Sequence, residues 1–350
     1  MPVSNGFTNE VGVIRWPSMR VIANGEIVVG AFQADISNNS HLGSDRFSLS
    51  IAASADPLHD LGWWADQDRV TVDIEVTLGS GFVKLIRGGV DTVEVDHGRS
   101  TVHLGGRDLA ARLIDSRTQG IFANRTSSEI AMLVAGRHGL TADVQATTTP
   151  VGRYWQLGHD RLVLGGCARV TSEWDLLVTL AEWEGYDVWV EGAVLHFGLS
   201  DETGIAGIIR PEGCESLRLE RSLVVANDVE VTVKSWHSRT AQGYSQTARS
   251  GVSPGGGESV QQYVYIVPNL MPEDALRLAN RRLQDLTRHE RVIVADMPGE
   301  LSLLPRRKVL LQGTGTAFDG EYLIDSVDRR LDSDRGFSQR VHACTNPAAS

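Results

Sequence analysis

The side chains best suited to chemistry in this sequence are its ten histidines and a few paired carboxylates. None of the histidines occurs in the HExxH or HxH spacing that supplies two ligands to one metal ion. The adjacent pair His159 and Asp160 lies in a Gly-flanked segment, where a solvated turn is a far more common arrangement than a catalytic or metal-binding pair. His103 and His342 occupy corresponding places in two similar segments and are expected on sheet faces. The sequence therefore predicts no metal and no cofactor.

Two further patterns could indicate an enzyme. Glu182 and Glu184, on either side of a tryptophan, could suggest the carboxylate pair of a glycosidase, but residues two apart on a helix point to different sides. Gly313 and Gly315 lack the GxGxxG spacing, and they stand between strands rather than before a helix, which argues against phosphate binding. No GxSxG nucleophile elbow occurs. The prediction is that the protein is not an enzyme.

Four residues are candidates for a partner interface instead. Trp63 and Trp64 follow a glycine in an expected loop, where they either pack in the core or contact a neighbouring chain, since tryptophan is enriched at interface hot spots. Asp73 and Glu75 form an acidic polar row on the most regular strand of the sequence. If this row faces a channel for DNA, the channel surface should be neutral or acidic.

Composition narrows the class of protein. The 350 residues carry 33 basic and 44 acidic side chains, a net charge of −11. Tight binding of nucleic acid needs basic surface, so it is not expected, although DNA could pass along an acidic wall without sticking. No apolar run is long enough for a membrane helix, and the N-terminus has no secretory signal pattern. Three cysteines without CxxC spacing predict no disulfide framework.

The strand pattern predicts a mainly β fold with α+β character. Val70, Val72, Ile74 and Val76 alternate with polar residues, as in a half-buried strand. Residues 68–108 and 308–343 share a Gly-containing entry, a strand interrupted by an aspartate, a charged turn and a strand ending Val-His-apolar. This similarity indicates an internal duplication, although any two antiparallel segments share some of these features. The predicted fold is two similar β-barrel tube domains flanking an inserted α/β domain.

The chain accordingly divides into four parts. The inserted domain begins where helix signals appear, such as the capping box formed by Thr126 and Glu129. A later stretch is rich in Ser, Gly and Gln and is expected to be a mobile loop that proteases cleave first, since it cannot form a core. The predicted parts are an N-terminal arm (1–18), a first barrel (19–114), the α/β insertion (115–205) and a second barrel (206–345) containing the mobile loop (238–262) and a helix (272–289).

Several segments together resemble one known family. They are GRDLAARLID (106–115), a capped helix ending in HGL (138–140), WDLLVTLAEWEGYDVWV (174–190) and FDGEYLIDSV followed by GFSQRVHA near the C-terminus. In this order they resemble the baseplate hub proteins of contractile-tailed phages, the late control D family, and are similar to the N-terminal part of type VI secretion spike proteins. The long 238–262 stretch has no counterpart in that resemblance.

The resemblance implies a structural protein of the virion, assembled in the host cytoplasm. Its expected partners are itself as a homotrimer, the tail tube protein, the central spike protein, and other baseplate proteins or the tape measure. DNA would only pass through the channel, and no membrane insertion is expected. No spike-like repeat follows residue 343, so the spike is expected to be a separate chain. A β-rich carbohydrate-binding or cell-wall-degrading tail protein is the alternative function.

Overall fold

The computed structural model describes residues 7–8, 15–40, 43–79, 81–117, 122, 124–148, 150–151, 172–200, 204–223, 229–237, 241–250, 260–268 and 270–345. Over these residues the fold is predominantly β and has four hydrophobic cores. A two-residue strand, β1 (Phe7–Thr8), is the first element. In this part of the chain, no helix combines the length and apolarity that a membrane crossing requires.

A first β unit follows, made of strands in which buried and exposed residues alternate. Its strands are β2 (Ser18–Ala23), β3 (Glu26–Val28), β4 (Ala31–Asn39), β5 (Arg46–Ala52), β6 (Thr71–Thr77), β7 (Val83–Asp96) and β8 (Thr101–Asp108), with a short helix, α1 (Leu61–Ala65), between β5 and β6. Hydrogen bonds order them β3-β2-β6-β7-β8-β5-β4, and all neighbours are antiparallel.

The sequence periodicity of this unit is confirmed. Val72, Ile74 and Val76 are fully buried, because alternate residues of a strand point to the same face of the sheet. Asn24 and Gly25 make the turn between β2 and β3 with φ of 50° and 93°. Positive φ at both positions is the geometry of a two-residue hairpin, and Asn-Gly is the pair that adopts it most readily.

A mixed α/β segment with its own hydrophobic core comes next. Its elements are α2 (Ala111–Asp115), α3 (Ser127–Arg137), β9 (Thr141–Val144), α4 (Glu173–Glu184), β10 (Asp187–Glu191) and β11 (Val194–Gly198), and its sheet has the order β10-β11-β9. The capping box of Thr126 and Glu129 is confirmed, and Ser172 with Asp175 makes a second one at the start of α4. Each box satisfies helix amides that would otherwise lack acceptors.

The chain then forms β12 (Ile205–Ile209) and β13 (Ser216–Arg221) before a small module with its own core. This module contains β14 (Val229–His237), β15 (Gln242–Arg249), β16 (Gln261–Ile266) and α5 (Pro272–Thr287), with the sheet order β15-β14-β16. Ala275 and Ala279 are buried against the sheet, whereas Leu276 is exposed.

A second β unit is completed by β17 (Arg291–Pro298), β18 (Lys308–Leu311), β19 (Gly320–Asp332) and β20 (Gly336–Thr345). Hydrogen bonds give the order β1-β12-β18-β19-β20-β17-β13. With strands matched in chain order, β12-β18-β19-β20-β17-β13 repeats β2-β6-β7-β8-β5-β4 of the first unit. Two differences remain. Strands β12 and β18 are parallel whereas β2 and β6 are antiparallel, and the outer neighbour of β12 is the parallel β1 whereas that of β2 is the antiparallel β3.

A β-bulge marks the same place in both units. In β7 the register with β8 shifts between Val90 and Thr92, so Asp91 is the additional residue. In β19 the register with β20 shifts between Ile324 and Ser326, so Asp325 is the additional residue. These are the two aspartates that interrupt the similar sequence segments, and such an insertion bends a strand and increases its twist.

The two β units are joined through one continuous sheet. Strand β4 pairs antiparallel with the second half of β19, from Ser326↔Asn39 to Asp332↔Gln33. Leu331 and Phe337 of the second unit also belong to the hydrophobic core of the first. The hydrogen-bonded ladder of the described residues does not close on itself, since β3 ends it. Strand pairing among these residues therefore gives an open sheet, and the two closed barrels stay a prediction.

The expectation of a mobile loop over 238–262 is wrong for Gln242–Arg249, which forms β15 and pairs with β14 along its whole length. Only Ala248 of this strand is buried. A strand that polar is held by main-chain hydrogen bonds, which do not depend on side-chain type, and the composition gave no sign of it. Residues 238–240 and 251–259 of the expected loop lie outside the described residues.

Candidate functional site

The two tryptophans predicted to contact a neighbouring chain differ in their burial. Trp64 is fully buried in the core of the first β unit, so the prediction that it could contact a neighbouring chain is wrong. Asp60 caps α1 by accepting a hydrogen bond from the Trp63 amide at 2.8 Å, and this places the Trp63 ring edge-on to Trp64 with centroids 4.7 Å apart. Trp63 is partly buried and retains some accessible surface.

The acidic row of β6 is neutralised by its neighbours. Arg20 on β2 donates to Glu75 at 2.9 Å, and Lys84 on β7 lies 3.2 Å from Asp73. A second cation on β7, Arg87, lies 3.7 Å from Asp73. Cross-strand pairs of opposite charge stabilise a sheet, and here they turn an acidic row into a face of mixed charge. The expectation that a channel surface formed by this row is neutral or acidic stays a prediction.

Exposed apolar side chains lie at the free end of the same sheet. Ile27 and Val29, in and just after the terminal strand β3, have exposed fractions of 59% and 57%, and nearby Leu58 reaches 80%. A terminal strand presents unpaired backbone N–H and C=O groups, which natural proteins normally cover or pair. This edge is therefore the part of the first β unit best suited to pair with another chain.

A buried polar cluster lies where the two β units meet. Arg329, on β19, is almost completely buried and donates to the Asn38 side chain at 2.5 Å and to the Leu303 carbonyl. Asn38 in turn donates to the Asp45 carboxylate at 2.7 Å. Removing a partner from such a network leaves a buried charge unpaired and is strongly destabilising. The network therefore fixes how β4 and β19 meet.

Two carboxyls of this junction have raised pKa values. Burial raises the pKa of Asp108 to about 8, and the nearby Asp45 adds charge repulsion. Burial also raises the pKa of Asp45, against the hydrogen bonds it accepts from Asn38 and Asn39. Asp45 and Asp108 line a cavity that Arg306 also lines, and burial lowers the pKa of the Arg306 guanidinium. This guanidinium lies 4.9 Å from the ring centroid of Trp189, in the α/β segment. Residues of the first β unit, the second β unit and the α/β segment thus line one cavity.

A second cleft, of about 420 Å³, separates α4 from α5. Arg282 of α5 donates to Glu182 at 3.0 Å, while Glu184 accepts from Ser127 of α3 at 2.7 Å. The two glutamates point to different sides of α4, as the sequence predicted. Each is engaged in a contact between elements, and they do not converge on one point as an acid/base pair must.

The remaining sequence candidates are accounted for individually. In the Gly313 loop, the Asp319 carboxylate accepts from the Thr314 amide at 3.0 Å and so occupies a backbone donor that a phosphate would need. His103 shares a hydrogen bond with Ser50 at 2.9 Å. Aligned on the bulges, His103 corresponds to Arg340 rather than to His342, so the predicted match of the two histidines is wrong. His159 and Asp160 lie outside the described residues.

Sequence reasoning missed one group of side chains. His289, Asp325 and Cys344 place an imidazole nitrogen, a carboxylate oxygen and a sulfur within 4.8 Å of one another. They are separated by 36 and 19 positions along the chain, so no local motif connects them. Neither Cys344 nor the other described cysteine, Cys214, is in a disulfide.

Comparison with known proteins gives a consistent result for the fold. No protein-family model and no curated protein matches the chain by sequence. Among solved structures, a tail protein from Neisseria meningitidis superposes with a TM-score of 0.70 at 15% identity, covering 95% of this chain and 97% of that one. The 43 kDa tail protein of prophage MuSo2 from Shewanella oneidensis gives 0.70 at 16% identity, covering 94% and 98%.

A third similar structure comes from a secretion system. The E. coli c3393 protein, a type VI secretion component described as structurally similar to the T4 tail proteins gp27 and gp5, gives a TM-score of 0.54 at 12% identity over 92% of this chain and 76% of that one. The likeness predicted from sequence to phage hub and type VI spike proteins is thus confirmed at the level of structure. Over nearly its whole length, the chain has the fold of phage tail proteins and their type VI secretion relatives.

Proposed function

We propose that this protein is the structural baseplate hub of a phage tail, and that three copies form a ring joining the tail tube to the central spike. The observation that carries the proposal is the repeated strand order of the two β units, each with an aspartate bulge at the equivalent place. A repeated supersecondary unit of this kind is the mark of an internal duplication.

The duplication gives the ring its symmetry. Three chains with two similar β units each present six such units around one axis, so a sixfold tube could contact every unit and a threefold spike could bind the same ring. Closed rings are the usual outcome of repeated contacts between identical chains. The continuous β4–β19 pairing supports this, because it holds the two units of one chain at a fixed angle.

The equivalence of the two units concerns backbone more than side chains. Asp73 and Arg87 face each other across β6 and β7, whereas Leu310 and Glu321 hold the equivalent positions in the second unit. The six units would thus offer a partner similar strand geometry with two alternating sets of side chains. A tube subunit that pairs mainly through backbone hydrogen bonds would tolerate that difference, since such bonds do not depend on side-chain type.

As a structural hub, the protein would be a non-enzymatic part of the virion tail. Its partners would be further copies of itself, the tube and spike proteins, and neighbouring baseplate or tape-measure proteins. DNA would pass through without binding, because a net charge of −11 and the neutralised face of β6 provide no strong attraction for phosphates.

Cryo-electron microscopy of the tail tip of the parent particle tests the proposal. We expect three copies of this chain around the tail axis, with their six β units in one layer between tube and spike. Any other stoichiometry, or a position away from the axis, would contradict it. Clearing of cell-wall material by the purified protein would instead favour the cell-wall-degrading alternative.

A further inference from the structure

The cluster of His289, Asp325 and Cys344 combines three donor types that share one metal preference. A neutral imidazole, a carboxylate and a thiolate are the three kinds of side chain that bind Zn²⁺ in proteins. Their ligand atoms lie within 4.8 Å of one another. We propose that these three residues form a binding site for a zinc-class divalent ion, independent of the proposed role in the tail.

The fold brings the three residues together at the end of α5. The β19 bulge frees Asp325 from the regular pairing with β20, and Cys344 lies on β20 opposite Leu323. His289 follows Arg288, the residue that caps the end of α5, and lies three residues before Val292, which pairs with Cys344 across β17 and β20. The site is thus set by sheet pairing on one side and by the helix end on the other.

Asp325 is oriented by the first β unit. Its carboxylate Oδ1 accepts a hydrogen bond from the Ser40 hydroxyl at 2.9 Å, and its backbone carbonyl accepts from the Ser40 amide at 2.7 Å. A ligand carboxylate that is itself held by a hydrogen bond presents a fixed lone pair to the ion, and such supporting contacts tune metal affinity.

The first β unit provides an internal comparison. There the bulge aspartate, Asp91, is neutralised by Arg107, which donates from Nε at 2.7 Å and from Nη2 at 3.1 Å. Counted from the bulges, Arg107 occupies the strand position that Cys344 occupies in the second unit. A bulge carboxylate therefore needs a positive partner but no thiol, and the second unit has placed a thiol and an imidazole beside it.

In the second unit the positive charge beside the bulge aspartate comes from a guanidinium at the end of α5. Arg288, at the end of α5, lies 2.5 Å from Asp325 and also interacts with the Cys344 thiol. Its side chain is 25% exposed, so it has a path out to solvent. The position that the Arg288 guanidinium occupies thus favours a positive charge. We expect Arg288 to compete with a metal ion for Asp325 and Cys344.

Coordination requires only a small contraction. Tetrahedral Zn²⁺ with bonds of about 2.0–2.3 Å separates its ligand atoms by roughly 3.4–3.6 Å, so ligand atoms at the 4.8 Å limit must approach each other by about 1.3 Å. His289 is exposed and lies in the turn after α5, which allows its side chain to make that adjustment. The Cys344 thiol gives up its proton to solvent, because thiolate is the ligand form. Water from the exposed side would complete the four-coordinate shell.

Titration of the purified full-length chain with Co²⁺ tests the site. Tetrahedral Co²⁺ bound to a thiolate gives visible d–d bands and a sulfur-to-metal charge-transfer band, and we expect both at one ion per chain, with Zn²⁺ displacing the Co²⁺. Ser40→Ala should weaken binding about 10-fold or more. Arg288→Ala should tighten binding, which a purely structural role of the cluster would not produce.

Controls separate loss of a ligand from loss of the fold. His289→Ala removes a ligand with an exposed side chain, so it should abolish the visible bands while leaving circular dichroism unchanged. Cys344→Ala should remove the charge-transfer band, whereas Cys214→Ala should retain it. If neither the wild type nor Arg288→Ala binds Co²⁺ with these bands, the cluster is an arginine-neutralised carboxylate and the proposal is overturned.

Discussion

Replacing Asp108 by asparagine tests how the buried junction is charged. Burial and the neighbouring Asp45 raise the pKa of Asp108 to about 8 in the folded protein, against about 3.9 for an unfolded aspartate. The folded chain then holds one proton more than the unfolded chain between these two values. The stabilising contribution of that proton is complete below about pH 4, and it declines as the pH rises towards 8.

The size of the effect follows from the proton difference. One additional proton in the folded state lowers the free energy of unfolding by about 1.4 kcal/mol per pH unit, hence by roughly 3 kcal/mol between pH 5 and pH 7. Asparagine does not titrate, and its side-chain carbonyl can still accept the hydrogen bond that the Ala110 amide donates to Asp108 at 3.1 Å. The variant should therefore gain stability relative to the wild type by about this amount over the same interval.

Urea unfolding of both proteins at pH 5, 6 and 7 measures this difference. Titration of other groups affects both proteins alike and largely cancels in the comparison. Asp68→Asn, which alters an exposed carboxyl just before β6, is the matched control and should show no trend with pH. A stability difference between Asp108→Asn and the wild type that stays constant over these three pH values would refute the raised pKa of Asp108. A variant that instead loses stability relative to the wild type as the pH rises would indicate a carboxylate stabilised in its charged form.

Three further substitutions test the packing. Gly106→Ala would put a Cβ 2.4 Å from the Phe47 ring and 2.3 Å from a backbone carbonyl oxygen. This substitution should lower the free energy of unfolding, measured in urea, by about 1–3 kcal/mol or more. Gly43→Ala should be nearly neutral, because no atom lies within 4 Å of the Cβ that it adds. Trp64→Ala should cost about 3–5 kcal/mol, and Trp16→Ala, on an exposed side chain, less than about 0.5 kcal/mol. Thr126→Ala should lower the free energy of unfolding by about 1 kcal/mol through loss of the α3 cap. Equal effects of the two tryptophan substitutions would contradict the burial of Trp64.

The elements that sequence predicted correctly are those whose signals are local. The alternation in β6 and the Thr126 capping box each depend on a few adjacent residues, and each occurs where the pattern placed it. The similarity of two distant segments was visible because both contain an aspartate at a bulge, Asp91 and Asp325. From these signals the mainly β fold and its likeness to tail proteins could be predicted.

The candidate sites were less predictable. Asp73 and Glu75 were correctly seen as one polar row, but their cations come from β2 and β7, which only the sheet order brings beside them. The charged junction is assembled in the same way, since Asp45 and Arg329 are 284 positions apart. Burial then changes the chemistry of such groups, because a carboxyl removed from water holds its proton more tightly.

The sequence by itself determined which residues face inward along a regularly alternating strand such as β6, where α3 and α5 begin, and that one β pattern occurs twice. Those properties follow from side-chain periodicity and from hydrogen bonds between residues a few positions apart. Only the tertiary structure decided that β4 pairs with β19, that the polar segment Gln242–Arg249 is a strand, and that His289 meets Asp325 and Cys344. Backbone hydrogen bonds between distant strands form between any residue types, so the choice of partner strand is made by the packing of the whole chain.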